Sequence, residues 1–191
     1  MKDTSKNPEF NDRSVTIGPA IKEDASGIFN VRLLTWLATY PNNDFGITQK
    51  DIHLRLEGQN GELIASNINR WQDTIVNPGD TRRVYVAREN NRVVGFTVPT
   101  VKQGQRRIGA LYILPEAQGK GYGTKLLNLS VSWHGRTEDI YLHAVSYNQK
   151  AIQFYKKYGF KITETVIEDE VVRFENGQEI PQLEMVLTAL I

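Results

Sequence analysis

Three observations predict a mixed α/β fold with one central sheet for this 191-residue chain. Strand-like and helix-like apolar periods alternate in the order strand, helices, three consecutive strands, helix, strand, helix, two strands. Residues 106–145 read as strand, glycine loop, helix and strand, a crossover unit whose two strands should be parallel neighbours. The length, with 40% hydrophobic residues, suits one domain with a full core.

Each element has a local cause. Residues 14–18 read as a short first strand. Residues 21–37 carry apolar side chains at helical spacing, including Ile28, Val31 and Trp36, on a rather broad face. The stretch Tyr40-Pro41-Asn42-Asn43-Asp44 breaks that helix. Thr48 is placed to cap a second helix over residues 49–56, and helix resumes over residues 62–71 after Gly58 and Gly61. Residues 83–88 and 93–101 form a hairpin around Glu89-Asn90-Asn91-Arg92. Residues 102–105 turn the chain into a strand over 106–114. The helix that follows covers residues 122–133 and ends at His134-Gly135. A strand over 139–145, a helix after Asn148, and two strands near 160–173 and 183–190 complete the chain. Residues 1–13 are polar, lack the apolar core of a signal peptide, and read as a mobile arm preceding a single domain over 14–191.

Composition excludes several classes of function. A net charge of +1 supplies no bulk field for nucleic acid or an anionic membrane. The absence of cysteine removes disulfides, thiolate catalysis and cysteine metal sites, and it suits a cytoplasmic protein. His53, His134 and His143 are scattered, so no metal is expected. No apolar run reaches the length of a membrane span.

The run Gln118-Gly119-Lys120-Gly121-Tyr122-Gly123 separates a strand from a helix. The first N–H groups of a helix lack internal partners and favour anions, and glycine lets a ligand approach the backbone. Together these make a phosphate cradle, although such a turn also serves as a plain helix cap. A P-loop requires G-x-x-x-x-G-K-[ST], which neither Lys120 nor Lys125 satisfies. A dinucleotide fingerprint requires glycine where Thr124 stands. The pattern that fits is Q-x-x-G-x-G/A, on Gln118, Gly121 and Gly123. A second pattern, N-x-x-A-x-x-F-Y-x-x-x-G-F, is matched by Asn148, Ala151, Phe154, Tyr155, Gly159 and Phe160. Together, and in this order, the two motifs resemble the signatures of the GNAT superfamily of acetyl-CoA-dependent N-acetyltransferases. The clear resemblance covers residues 82–191.

The resemblance implies a mixed, mostly antiparallel sheet with helices on both faces. It also implies a splayed parallel strand pair that holds acetyl-CoA. The backbone of Leu111, Tyr112 and Ile113 would bind the pantetheine arm by strand addition and supply one oxyanion donor. Gln118, Gly119, Lys120, Gly121, Tyr122, Gly123 and Thr124 would hold the pyrophosphate. Asn148 would contact pantetheine, while its position also suits a helix cap. Tyr155, two helical turns further on, would protonate or hydrogen-bond the departing thiolate. Phe154, Tyr158 and Phe160 read as core. Many relatives carry a glutamate on the first motif's strand, but here the approach is Arg106-Arg107-Ile108-Gly109-Ala110, without a carboxylate. A base acting through water, a carboxylate from elsewhere, His143 and a water chain are the alternatives, and a lone strand histidine is more often structural.

The acceptor site in such folds is built from the first two helices, their loop and the last hairpin, here residues 36–51 and 167–181. Trp36, Tyr40 and Phe45 are the candidate aromatic walls. Asp44, Asp51, Glu168, Asp169 and Glu170 are candidate attractors for a cationic amine. The expected partner is a small-molecule or peptide amine, a small primary amine slightly favoured, with no nucleic acid and no membrane. A homodimer through the C-terminal strands is possible. The alternative is a non-catalytic acyl-CoA-binding module; a nucleotide-binding protein is the weaker third reading.

Overall fold

Local turn chemistry sets the centre of the sheet. Asn90 and Asn91 have φ of 49° and 62°, the left-handed pair required by a two-residue hairpin turn. The turn joins β2 (Tyr85–Glu89) to β3 (Arg92–Lys102). Gln103 and Gly104, at φ of 51° and 78°, join β3 to β4 (Gln105–Ile113) in the same way. The computed structural model describes residues 14–163 and 172–190, and the proposed N-terminal arm lies outside them.

A seven-stranded sheet has the order β1-β2-β3-β4-β5-β9-β6, with β1 Val15–Pro19, β5 Ile140–Val145, β6 Lys161–Ile162 and β9 Gln182–Leu187. All its pairs are antiparallel except β4–β5. Two short strands, β7 (Val172–Arg173) and β8 (Glu179–Ile180), pair apart from it. The helices are α1 (Ala25–Thr39), α2 (Gln49–Glu57), α3 (Glu62–Val76), α4 (Tyr122–His134) and α5 (Gln149–Tyr158). They cover both faces, as successive residues of β3 demonstrate. The Phe96 ring meets Trp71 of α3, with centroids 5.3 Å apart. The adjacent Thr97 turns the other way, and its hydroxyl lies 2.9 Å from that of Ser130 on α4.

Several boundaries differ from the sequence expectation. The first helix begins at Ala25, after a 3₁₀ turn over Lys22–Asp24. Asp24 is buried, accepts from the Ile21 N–H at 2.7 Å, and pairs with Arg88, so the chain is pinned there before the helix can run. Helix α3 continues to Val76, not Trp71, because Ile64, Ile68, Trp71 and Ile75 keep one apolar face until Asn77 and Pro78 stop it. The expected strand near 160–173 is represented by β6 and β7, and the part over 164–171 lies outside the described residues. Thr48 does cap α2, in a reciprocal box with Asp51.

Candidate active site

Strands β4 and β5 pair for only three residues, Arg106↔Ile140 to Ile108↔Leu142, although both continue to Ile113 and Val145. Beyond that point they part. On its other side β4 stays paired to β3 as far as Ile113↔Gly95. The Leu114 N–H donates to the Val94 carbonyl at 2.9 Å. Alternation along an antiparallel strand therefore turns the polar groups of Tyr112 into the β3 ladder and those of Leu111 and Ile113 outward. The gap between the parted strands opens a cleft of about 1220 Å³, enough for a long ligand plus a second molecule.

The glycine loop closes one end of the cleft. Gly119 and Gly121 sit at φ of 80° and 81°, where a side chain would be strained. A Cβ would have open space at both, so the requirement is conformational rather than steric. Lys125 N–H donates to Gly121 C=O at 3.1 Å, so the glycine loop runs straight into the N-terminal turn of α4. Gln118, Gly119, Gly121, Tyr122, Gly123 and Thr124 all line the cleft. Lys120 does not; its ammonium is paired with Glu89 at 2.9 Å.

One residue at the loop is not a fixed member of either motif: Lys150 of α5. Its ammonium reaches from α5 to Gln118 Oε1 at 2.5 Å, while Gln118 Nε2 donates to the Ile113 carbonyl at 3.1 Å. Gln118 itself is uncharged, and the positive charge at the loop arrives from position 150. The signal was a lysine in the first turn of a helix, which the macrodipole disfavours unless an anion is near.

Asn148 does cap α5: its Oδ1 accepts from the Ala151 N–H at 3.1 Å. Its side chain also lines the cleft, leaving the amide Nδ2 as a donor to a ligand. The two roles are separable. Asn148→Asp should preserve melting temperature, since aspartate caps equally well, but weaken acyl-CoA binding severalfold. Asn148→Ala should lose about 1 kcal/mol of stability as well, read by thermal unfolding.

Tyr155 is 8% exposed and lies on the cleft wall. Among the described residues its hydroxyl has no hydrogen-bond partner. Burial, reinforced by Tyr112, pushes its pKa well up, so the phenol stays protonated. Tyr40 is also raised, by burial first and then by Tyr112, whose hydroxyl is 3.2 Å from its own; Tyr155 adds to the shift. Three phenols thus converge beside the parted strands. Of the aromatics expected in the core, Phe160 is buried at 2%. Phe154 and Tyr158 are half-buried, and Phe154 faces the cleft.

His143 lines the cleft, but its Nε2 lies 2.8 Å from Arg107 Nη1. A guanidinium only donates, so this nitrogen accepts. Arg107 also pairs with Glu184 at 3.1 Å. This bridge joins β4, β5 and β9 where they are still paired, and it commits His143 Nε2 to structure.

Of the candidate aromatic walls, Trp36 and Tyr40 line the cleft. Phe45 does not; it stacks on Tyr147, with centroids 5.4 Å apart. Asp44 and Asp51 are also outside the wall. Asp51 is consumed by the cap of α2 and by Asn176 Nδ2 at 3.0 Å. Glu168, Asp169 and Glu170 lie outside the described residues. Among the described residues no cluster of three or more histidines and carboxylates could hold a metal, and no helix is long and apolar enough to cross a membrane.

Comparison with known proteins agrees with this architecture. The family profile described as Acetyltransferase (GNAT) domain matches residues 80–162. N-alpha-acetyltransferase 50 of Danio rerio is 41% identical over 68 residues, which span 33% of this chain and 40% of that protein. The PaiA N-acetyltransferase of Thermoplasma acidophilum, solved with coenzyme A, superposes with a TM-score of 0.66 at 19% identity, covering 93% of this chain and 99% of that one. The protein YncA of Salmonella typhimurium, solved with acetyl-CoA, gives 0.63 at 19% identity over 92% and 94%. At such identities the superpositions speak for the fold, and the family match speaks for the motifs. The parted strands, the glycine loop and the α5 motif fall within residues 80–162, and over those residues the chain is similar to the acetyltransferase (GNAT) domain.

Proposed function

We propose that the chain transfers an acetyl group from acetyl-CoA to a primary amine by direct attack. The observation that carries this reading is the juxtaposition, in one cleft, of the outward edge of β4 and the N-terminus of α4. These two features suit the two chemically distinct parts of the donor. The N–H groups of residues 121–124, with Lys150, would bind the pyrophosphate. Leu111 and Ile113 would pair with the pantetheine amides, and Asn148 Nδ2 would add a third contact.

The donor thioester would then lie between the β4 edge and Tyr155. The amine nitrogen attacks the carbonyl carbon, an N–C bond forms, and the oxyanion takes a hydrogen bond from an outward N–H of β4. The C–S bond breaks, and the sulfur leaves as thiolate beside the Tyr155 hydroxyl, which donates to it. The proton lost by the amine passes to water. A water route is favoured because no carboxylate lines the cleft among the described residues and His143 Nε2 is engaged. That same lack of a carboxylate favours the second reading, a non-catalytic acyl-CoA-binding module.

Calorimetry with acetyl-CoA, followed by thiol release against a panel of amines, separates the two. Micromolar binding with release supports the transferase; binding without release supports the module; no binding by folded protein ends both. Lys150→Ala should weaken acetyl-CoA about five- to tenfold at low salt and less at high salt, because the lost contact is a screened charge pair.

A further inference from the structure

We propose that the amine acceptor also carries a carboxylate, and that Arg32 and Arg55 receive it. The proposal rests on the acetyl-transfer reading and assigns its substrate class. Every Asp, Glu, Lys or Arg lining the cleft among the described residues is cationic: Arg32, Arg55, Lys102, Arg107 and Lys150. The whole chain carries only +1, so this concentration is local. Lys150 is tied to the glycine loop through Gln118, and Arg107 to Glu184. Arg32 and Arg55 come from α1 and α2, which contribute nothing to the glycine loop or the α5 motif.

Neither of these two arginines pairs with a carboxylate among the described residues. Arg32 rests over the Trp36 ring, its Cζ 4.6 Å from the centroid. Arg55 is anchored by Nη1 to the Arg173 carbonyl at 2.7 Å. Burial lowers the Arg32 pKa, and Arg55 and Arg70 push it the same way; only the phenols of Tyr112 and Tyr40 oppose them. A partly desolvated guanidinium beside two others, with no carboxylate paired to it among the described residues, is costly to maintain, and a bound carboxylate relieves both burdens. The subsite adjoins the reacting end, because Tyr40 and Tyr112 interact with Arg32 and with Tyr155 alike. Stacking on Trp36 holds the planar fork in place for a bidentate partner. The same field repels a polycation.

The test is thiol release from acetyl-CoA with matched acceptors. The panel is free L-amino acids, their C-terminal carboxamides, a short peptide with an acidic second residue, and spermidine. At least one carboxylate-bearing amine should exceed its own amide in kcat/KM by about tenfold or more, a difference of about 1.4 kcal/mol. Release from the peptide alone would identify a side-chain carboxylate as the source. Arg32→Gln should raise KM for the anionic acceptor about tenfold and leave its amide little changed, with Arg32→Lys recovering part of the loss. Unchanged acetyl-CoA affinity in the variants verifies that the cleft is intact; if Arg32→Gln does not fold, Arg55→Gln carries the same expectation. Amides used as well as acids, or spermidine preferred, would overturn the subsite and leave the transferase reading standing. Failure to bind acetyl-CoA, or binding without release from any amine, would remove the transferase reading and the subsite with it.

Discussion

Tyr155→Phe is expected to lower kcat by about a hundredfold or more while leaving the acetyl-CoA dissociation constant unchanged. The phenol ring packs against Phe160 and Phe154, with centroids 5.8 and 5.2 Å away, and phenylalanine preserves both contacts. The hydroxyl has no partner among the described residues, so its removal leaves no buried group unsatisfied, and melting temperature should hold or rise slightly. On the proposed mechanism, what is lost is the donor to the leaving thiolate. The pH dependence follows from the direction of the shift. Burial raises the Tyr155 pKa above its ordinary value of about 10, so the donor remains protonated throughout the neutral and mildly alkaline range. The rate should climb with pH as the acceptor amine loses its proton, with no decline from Tyr155 ionisation below about pH 10. The linked stability has the same sign: it is complete below the unfolded pKa and is lost as pH rises through the folded one. Undiminished kcat in the phenylalanine variant would assign thiolate protonation to water, or to the Tyr40–Tyr112 pair next to it.

Phe160→Ala should produce the largest stability loss, about 3–5 kcal/mol, equivalent to roughly 6–20 °C in melting temperature for a chain of this size. The ring is 2% exposed and belongs to the cluster formed by Leu127, Ile140, Leu142, Ile152 and Met185. It also backs Tyr155, so the cavity left by alanine removes one wall that orients the phenol. The variant should therefore show a reduced kcat even at temperatures where it is folded. Phe160→Leu retains most of the volume and should cost less on both measures. Equal stability of the alanine variant, followed by thermal or urea unfolding, would mean that the site collapses around the gap and that the motif's terminal aromatic is not an anchor.

These two residues show why a motif reading can name a position without naming its task. The α5 motif was complete in the sequence, yet Phe154 and Phe160, six residues apart, differ in fate: one faces the cleft and the other closes the core. Helical spacing says which residues share a face, but what that face meets depends on strands far away in the chain.

Features that residues a few positions apart can enforce were legible before any folding. The asparagine pair at 90 and 91 dictates a tight hairpin, Thr48 and Asp51 dictate a helix start, and Gly119 and Gly121 dictate the cradle, because each effect is local backbone geometry. The strand, loop, helix and strand over residues 106–145 dictated the parallel β4–β5 crossing. The charge that lines the cleft, by contrast, came from the packing of segments far apart in the chain. Asp51 was a plausible attractor until α2 and Asn176 consumed it; Arg32 and Arg55, 23 residues apart in the chain by their numbers, face one cleft because α1 and α2 pack there. Lys150 supplies a charge to a loop 32 residues earlier. Charge balance inside a cleft is a sum over distant segments, and composition averages it to +1, whereas burial and pairing decide which of those charges a ligand meets.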